Sequence, residues 1–416
     1  MSEESPTERP ADQRVVITGL GPVSSIGTSA QAFRDGLASG SDGSKPIESF
    51  DTTGYEHSYA CEINDFRPDD HIENLDIESL GRATQFAVAA ARLAVRHAGL
   101  SDGELGDKDV LISVGTTDGE SRDLDQLADV QVRESYEHWQ PDVASRISPT
   151  RLSTMIAQEL ELSRAEAATL PTACAAGNYA IGYGYDVVRS GEADIALCGG
   201  ADALCRKTFT GFYRLGTIAP RRCRPFDVDR EGILTGEGAG ILVLETLESA
   251  QRRGATIYGE VLGYGLNCDA HHPVAPKEDS IAACMDLALH DAQVSPDKVD
   301  FISAHGTGTQ ANDVTEANAI RQIYGEARPP TISVKSMIGH TMGAASALAA
   351  IGCALAISEG FIPPTINHGR TDPECDVDCV PNEAVRKDVN VVQNNGLAFG
   401  GNNSVVVFGK PEGVGA

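Results

Sequence analysis

One cysteine, two histidines and one lysine are the residues of this chain whose types and settings could do nucleophilic chemistry. Cys174 stands in Pro171-Thr172-Ala173-Cys174-Ala175-Ala176-Gly177-Asn178, at the start of an amphipathic helical run that continues to about Arg189, with small residues on both sides of its sulfur. At a helix N-terminus, partial positive charge and free backbone N–H groups favour thiolate over thiol, and the thiolate is the nucleophile. Taken alone, the setting fits a small buried hydrophobe better, the usual fate of a cysteine. The balance changes with Ser303-Ala304-His305-Gly306-Thr307-Gly308-Thr309 and Lys335-Ser336-Met337-Ile338-Gly339-His340, which add two imidazoles and an ammonium.

Composition narrows the classes of partner. The 416 residues can bury a large core and suggest two or three domain-sized units. With 33 basic against 60 acidic residues, the net charge of −27 argues against nucleic acid or an anionic membrane as general partners. The ten cysteines follow no secretory signal and read as reduced, intracellular thiols, which implies a cytoplasmic location. Cys375 and Cys379 have no companion pair, and His271 and His272 are adjacent and point apart in extended backbone, so no metal site is expected. The longest nearly apolar run, Ala344 to Ile357, is too short to span a bilayer. Residues 1–13 are polar and read as a disordered tail.

The elements that must position these residues can be read in order. Arg14 to Gly21 is a strand entering a glycine turn, without the spacing of a dinucleotide loop. Helical periodicity from Ala83 to Leu100 is stopped by Gly99. Asp109 to Thr117 is a strand, 120–170 reads as helices and loops of an insertion that could cover a site, and Asp194 to Gly200 is a strand buried on both faces. Arg221 to Asp227 is a basic loop, either a solvated turn or an ion pair to Asp227 or Asp229. Gly236 to Gly240 leads into the strand Ile241 to Glu245.

The second half repeats the first in outline. Asp300 to Ala304 ends in a Gly/Thr loop as Asp109 to Thr117 does, Gly400 to Val407 echoes Gly236 to Val243, and the small-residue helix after His340 parallels the helix after Cys174. Such self-similarity predicts a duplicated α/β unit. Two pseudo-symmetric halves would bring Cys174 from one and His305, Lys335 and His340 from the other to a shared pocket.

The run Pro171 to Gly177, the segments His305 to Thr309 and Lys335 to His340, and the loop Gly396 to Gly401 resemble the β-ketoacyl-acyl carrier protein synthases of the synthase II type and the ketosynthase subunits of type II polyketide systems. The resemblance spans Arg14 to Lys410. It implies an α/β thiolase fold, layered αβαβα, with two pseudo-symmetric halves (14–255 and 256–416), each with a mixed sheet. It also implies an acyltransferase that performs a decarboxylative Claisen condensation. An acyl thioester on Cys174 supplies the leaving group. His305 and His340 donate hydrogen bonds to the enolate formed when malonyl-acyl carrier protein loses carbon dioxide, and Lys335 sets the local field. The backbone N–H groups of Cys174 and Phe399 would form the oxyanion hole, Phe399 would gate the site, and Thr307 and Thr309 would hold the phosphopantetheine arm. No bound cofactor is implied.

Three departures from the family pattern stand out. Ala349 replaces a glutamate usual nine residues beyond the second histidine. The stretch Asp65 to Glu78, basic in relatives and used there to meet acidic carrier proteins, is acidic here, leaving docking to cations such as Arg206 and Lys207. Asp118 falls at the floor of the acyl pocket, disfavours a long saturated chain, and tilts the reading from fatty acid synthesis towards a specialised polyketide or polyene pathway. By resemblance the partners are an acyl carrier protein and, through the strand Asp194 to Gly200, a second synthase chain. A homodimer is expected, with a heterodimer containing a chain-length-factor-like subunit as the alternative. A non-decarboxylating thiolase would want a cysteine in the loop Asn394 to Asn403, which has none; a catalytically silent partner subunit typically lacks the nucleophile that Cys174 supplies here, and Ala349 keeps that alternative open.

Overall fold

In the computed structural model, which describes residues 10, 13–326 and 328–411, ten strands hydrogen-bond into one mixed sheet. They are β1 (Val15–Val23), β2 (Val110–Gly115), β3 (Ala165–Leu170), β4 (Ile195–Asp202), β5 (Gly238–Thr246), β6 (Gly259–Cys268), β7 (Phe301–Ser303), β8 (Thr331–Ile332), β9 (Val391–Leu397) and β10 (Asn402–Gly409). The tail assigned to residues 1–13 lies, but for Pro10 and Gln13, outside the described residues.

The sheet order is β8-β7-β9-β10-β6-β1-β5-β4-β2-β3. Outward from the centre, β1-β5-β4-β2-β3 and β6-β10-β9-β7-β8 pair in the same way: antiparallel, antiparallel, parallel, parallel. Each half contributes its own mixed half-sheet, and at the seam β1 pairs with β6 at Val15↔Val261, Val16↔Glu260 and Ile17↔Gly259, which makes the two continuous.

Three large apolar cores among the described residues follow from this arrangement. Helix α1 (Arg82–His97) packs on β1, β5 and β4 over one core. The helices α3 (Glu278–Ala292) and α4 (Gln310–Tyr324) cover the other half over a second. Between the half-sheets lie α2 (Ala176–Arg189) and α5 (Ala345–Glu359), which touch each other and strands of both halves. A helix apolar all round has to be buried all round. Every residue of α5 from Ala345 to Ile357 is buried, Ala349 among them. The stretch Met342–Glu359, long and apolar enough to span a bilayer, is 89% buried inside the protein.

Small residues set how closely the two central helices approach. A Cβ on Gly177 would sit 2.6 Å from the backbone nitrogen of Ala347 and 2.8 Å from the Ser346 hydroxyl, so only glycine fits at this crossing. The Ser346 hydroxyl accepts from the Asn178 N–H at 3.0 Å and fastens the same point.

The strand Asp194 to Gly200, expected to meet a partner chain, is interior: β4 is hydrogen-bonded to β2 on one edge and β5 on the other. The edge is instead β3, which lies within the stretch read as helices and loops. Its sequence Ala-Glu-Ala-Ala-Thr-Leu favours a helix by propensity, and its parallel pairing with β2, Val110↔Ala165 to Gly115↔Leu170, overrides that preference. Glu166 and Ala167 on this edge are exposed.

Candidate active site

Cys174 is the middle residue of a single turn, Ala173–Ala175, that opens directly into α2. The residue before it, Ala173, has φ 54, a left-handed conformation that costs a non-glycine residue about 1–2 kcal/mol. Strain of this kind collects at functional sites. The backbone N–H groups of Cys174 itself and of Phe399, which belongs to a different turn, both favour the thiolate form of the sulfur.

His305 follows β7, and Lys335 and His340 follow β8, so all three reach Cys174 from the other half of the sheet. The four side chains are buried. The imidazole rings lie edge to face, with centroids 5.4 Å apart and planes at 82°. The Lys335 Nζ donates to the His305 carbonyl oxygen at 2.6 Å and lies 3.4 Å from His305 Nδ1. The Met342 N–H donates to His340 Nδ1 at 3.1 Å. Both Nδ1 atoms therefore face donors, which leaves the proton of each neutral ring on Nε2.

Burial first, and then the charge of Lys335, hold both imidazoles well below the usual histidine range, with His340 adding to the effect on His305. The two rings are neutral donors at physiological pH. Burial also lowers Lys335 from the ordinary lysine value, opposed mainly by the Glu316 carboxylate. The Cys174 thiol is pushed up to about 12 by burial, against the pull of Lys335 and the Phe399 N–H. That outcome corrects the expectation of a resting thiolate: loss of water around the sulfur outweighs the helix terminus.

Cys174, His305 and His340 open on a cavity of about 320 Å³ that is also lined by Thr307, Thr309, Arg230, Phe212 and Phe399, with Lys335 behind its wall. Thr307 and Thr309 join their hydroxyls at 2.9 Å, and Thr309 also caps α4 by accepting from the Asn312 N–H. The Phe399 ring is 37% exposed and lies 5.3 Å from Phe212, whose ring is 6.3 Å from His340. Gly400 and Gly401, with φ 84 and 81, form the bend beneath it. Val274 and Pro276 also line the cavity, and no residue of 120–170 does, so that stretch does not provide the cover expected of it here.

Asp118 does not line this cavity either. Its carboxylate is held by the Lys207 ammonium at 2.6 Å and by the Thr208 hydroxyl, because a buried carboxylate needs a charge partner. Lys207 also donates to the Ser121 hydroxyl at 2.8 Å, whereas the half-exposed Arg206 approaches Asp129 only to 3.8 Å. In the basic loop, Asp227 is bound by the backbone N–H groups of Asp229, Gly369 and Arg370 instead of by an arginine. The exposed rings of His271 and His272 are 6.5 Å apart, and His272 Nδ1 accepts from the Val274 and Ala275 N–H groups.

Three buried acids escaped the sequence reading. Glu316 on α4 accepts the backbone N–H groups of His305 and Gly306, both at 2.8 Å, and holds the first histidine in place. Asp313 accepts from Phe226 and Gly308, and Arg230 bonds the Asp372 carboxylate at 2.5 Å beneath the threonine loop. Asp202 ends β4 and accepts from the Thr116 hydroxyl and from the N–H groups of Thr117, Asp118 and Gly343. An acid closing a wholly apolar strand is the one signal that marked Asp202 in advance.

Two family models match, the beta-ketoacyl synthase N-terminal domain over residues 12–250 and its C-terminal domain over residues 258–368. The chain is 36% identical to 3-oxoacyl-(acyl-carrier-protein) synthase 2 of Synechocystis sp. over 96% of its own length and 98% of that protein. It is 57% identical, with a TM-score of 0.95, to a solved chain of the ishigamide ketosynthase/chain length factor, covering 96% of this chain and 100% of that one. It is 30% identical, with a TM-score of 0.87, to a chain of the AntDE:AntF structure, a type II polyketide acyl-carrier protein in complex with its ketosynthase bound to the hexaketide, again covering 96% and 100%. With family models matching 12–250 and 258–368 and a cysteine and two histidines lining one cavity, the chain belongs to the beta-ketoacyl synthase family, as an acyltransferase of the condensing type that serves fatty acid or polyketide biosynthesis.

Proposed function

We propose that Cys174 carries the growing acyl chain and that His305 and His340 stabilise the enolate made from a malonyl thioester. The observation that carries this reading is the pair of neutral rings, each with Nδ1 facing a donor and Nε2–H left to donate. In the first half-reaction the Cys174 sulfur attacks the incoming acyl thioester, and its proton leaves with the departing thiol of the phosphopantetheine arm. The developing oxyanion lies against the Cys174 and Phe399 N–H groups, which need no reorganisation to receive it. In the second, the malonyl thioester loses carbon dioxide, its enolate oxygen accepts from the two imidazoles, and its carbon attacks the acyl-cysteine and expels the sulfur.

Lys335 takes a positioning role: its ammonium holds the His305 carbonyl and faces Nδ1, leaving no lone pair free to abstract a proton from carbon. Thr307 and Thr309 line the route of the arm, and Phe399 is the gate. The substrates arrive on the phosphopantetheine of an acyl carrier protein. The abutting family matches, which end at 250 and begin at 258, support a boundary near residue 255 between a cysteine half and a histidine half. Ten unpaired cysteines support a reducing, cytoplasmic setting.

The 57% identity to the ishigamide ketosynthase/chain length factor, against 36% to the synthase 2 enzymes, supports a type II polyketide or polyene pathway over fatty acid elongation. It also supports pairing with a homologous chain-length-factor-like subunit over self-pairing. Incubation with acyl and malonyl carrier proteins, followed by intact mass and released carbon dioxide, tests the reading. An acyl adduct on Cys174 that disappears as carbon dioxide is released is expected; carbon dioxide release and product formation without any adduct would refute the proposed roles.

A further inference from the structure

Asp202 is wholly buried at the end of β4 and does not line the active-site cavity. Its carboxyl group gathers donors from two places. The Thr116 hydroxyl, at 2.6 Å, and the N–H groups of Thr117 and Asp118, at 2.8 and 3.0 Å, come from the loop after β2. The Gly343 N–H, at 2.6 Å, comes from the turn Met342–Ala344 and joins the cysteine half of the chain to the histidine half. Backbone meets backbone at this point: a Cβ on Gly200 of β4 would lie 2.2 Å from the Gly343 carbonyl oxygen. Met342 is held at φ 52, a left-handed conformation that a non-glycine residue keeps only where its surroundings fix it. In that conformation its N–H donates to His340 Nδ1 at 3.1 Å. Two consecutive amides of one turn therefore bind an active-site imidazole and a buried carboxyl group.

We infer that Asp202 is a positioning residue for the condensation: by holding the Gly343 N–H it keeps the Met342 N–H on His340 Nδ1, and so keeps the His340 Nε2–H available to the enolate oxygen. The inference rests on the role proposed for His340 and extends it to an acid from the opposite half of the sheet. Without the carboxyl acceptor, the Gly343 N–H loses its partner and Met342 can return to the right-handed region, which takes its own N–H off Nδ1. The imidazole proton can then occupy either nitrogen, and only the Nε2–H form donates to the enolate. His305 is secured separately: Glu316 accepts from the His305 and Gly306 N–H groups, and Lys335 faces its Nδ1. Loss of Asp202 thus disturbs one imidazole and leaves the other in place.

A double-mutant cycle tests this coupling, because only residues that act through one another depart from additivity. Single-turnover carbon dioxide release from malonyl carrier protein, and acylation of Cys174 by hexanoyl carrier protein, are measured for Asp202→Ala and Asp202→Asn, alone and combined with His340→Ala or His305→Ala. Asp202→Ala should slow decarboxylation on the order of tenfold, less than the outright loss of an oxyanion donor. Asp202→Asn keeps an oxygen for the Gly343 N–H and should restore most of the rate. Acylation should not slow, since the charge of Asp202 opposes the thiolate of Cys174. The tenfold loss should vanish in the His340→Ala background and persist in the His305→Ala background. Should Asp202→Ala not fold, Gly343→Ala takes its place in the cycle, because its Cβ would lie 2.7 Å from Asp202 Oδ2 and drive the same two groups apart. A loss undiminished in the His340→Ala background, or equal in both half-reactions, would overturn the inference. Decarboxylation at the wild-type rate by His340→Ala alone would instead overturn the histidine's own role.

Discussion

Gly343 occupies in the second half of the chain the place that Cys174 occupies in the first. Each is the middle residue of a single turn, Ala173–Ala175 or Met342–Ala344, that runs into a central helix, and each follows a residue in the left-handed region, Ala173 at φ 54 or Met342 at φ 52. Each turn is preceded by a threonine, Thr172 or Thr341. The two copies have diverged in what their N–H groups face. The Cys174 N–H is directed at its own sulfur, whereas the Gly343 N–H is taken by the Asp202 carboxylate at 2.6 Å. One turn is kept for substrate and the other is closed by an internal carboxyl group.

Replacement Cys174→Ala should abolish acylation while thermal unfolding shifts by no more than about 1 kcal/mol, since only one buried sulfur is lost. The equivalent Gly343→Ala should do the reverse. Its Cβ would meet the Thr116 Cα at 2.4 Å, an overlap that costs about 1–3 kcal/mol on packing grounds, with the nucleophile intact. Calorimetry together with intact-mass acylation reads both, and condensation by the cysteine variant near the wild-type rate would remove the sulfur from the mechanism.

His305→Ala and His340→Ala should slow malonyl decarboxylation by on the order of 10²–10³ each, the usual loss for one donor to a developing oxyanion. Self-acylation of Cys174 should suffer far less, because its oxyanion faces backbone N–H groups. Single-turnover measurement of each half-reaction separates the two, and equal losses in both would mean that the rings serve the acyl carbonyl as well.

Asp202 ties pH to stability. Burial, and then the Asp118 carboxylate, push it from the ordinary 3.8 up to about 7 against the pull of the donors around it. Between roughly pH 4 and 7 the folded state keeps a proton that the unfolded chain has released, so this residue's contribution to stability declines as pH rises through that window and is level above it. The variant Asp202→Asn cannot titrate. Its melting temperature relative to wild type should therefore improve steadily from pH 4 to pH 8. A flat difference would show that the hydrogen bonds keep Asp202 ionised throughout.

Assembly should depend on β3. Its free edge carries the exposed Glu166 and Ala167, and Glu166 accepts from the Tyr183 hydroxyl on α2. An Ala167→Pro substitution cannot continue a ladder of hydrogen bonds across that edge. Multi-angle light scattering of the purified chain mixed with a chain-length-factor-like subunit should give a two-chain particle for the wild type and separate single chains for the variant. A two-chain variant would place the interface elsewhere.

The chemistry was legible in the sequence because it depends on residue type and order. Cys174 before a helical run, and His305, Lys335 and His340 after two short strands, carry their meaning in a few adjacent residues. The same holds for the duplicated outline, since Asp109–Thr117 and Asp300–Ala304 repeat a local pattern of apolar strand and Gly/Thr loop. What only the tertiary structure decided is what long-range contacts decide. β3 is a strand because β2 pairs with it, although alanine-rich sequence favours a helix. Asp118 is absent from the cavity lining, and its carboxylate is held by Lys207, 89 residues later in the chain. The thiol rather than the thiolate of Cys174 prevails because water is excluded around the sulfur, a property of the packed pocket and not of the helix start. Glu316 and Asp202 became visible as supports of the site only once the backbone N–H groups that they bind were folded onto them, because an isolated acid in a sequence carries no record of its donors.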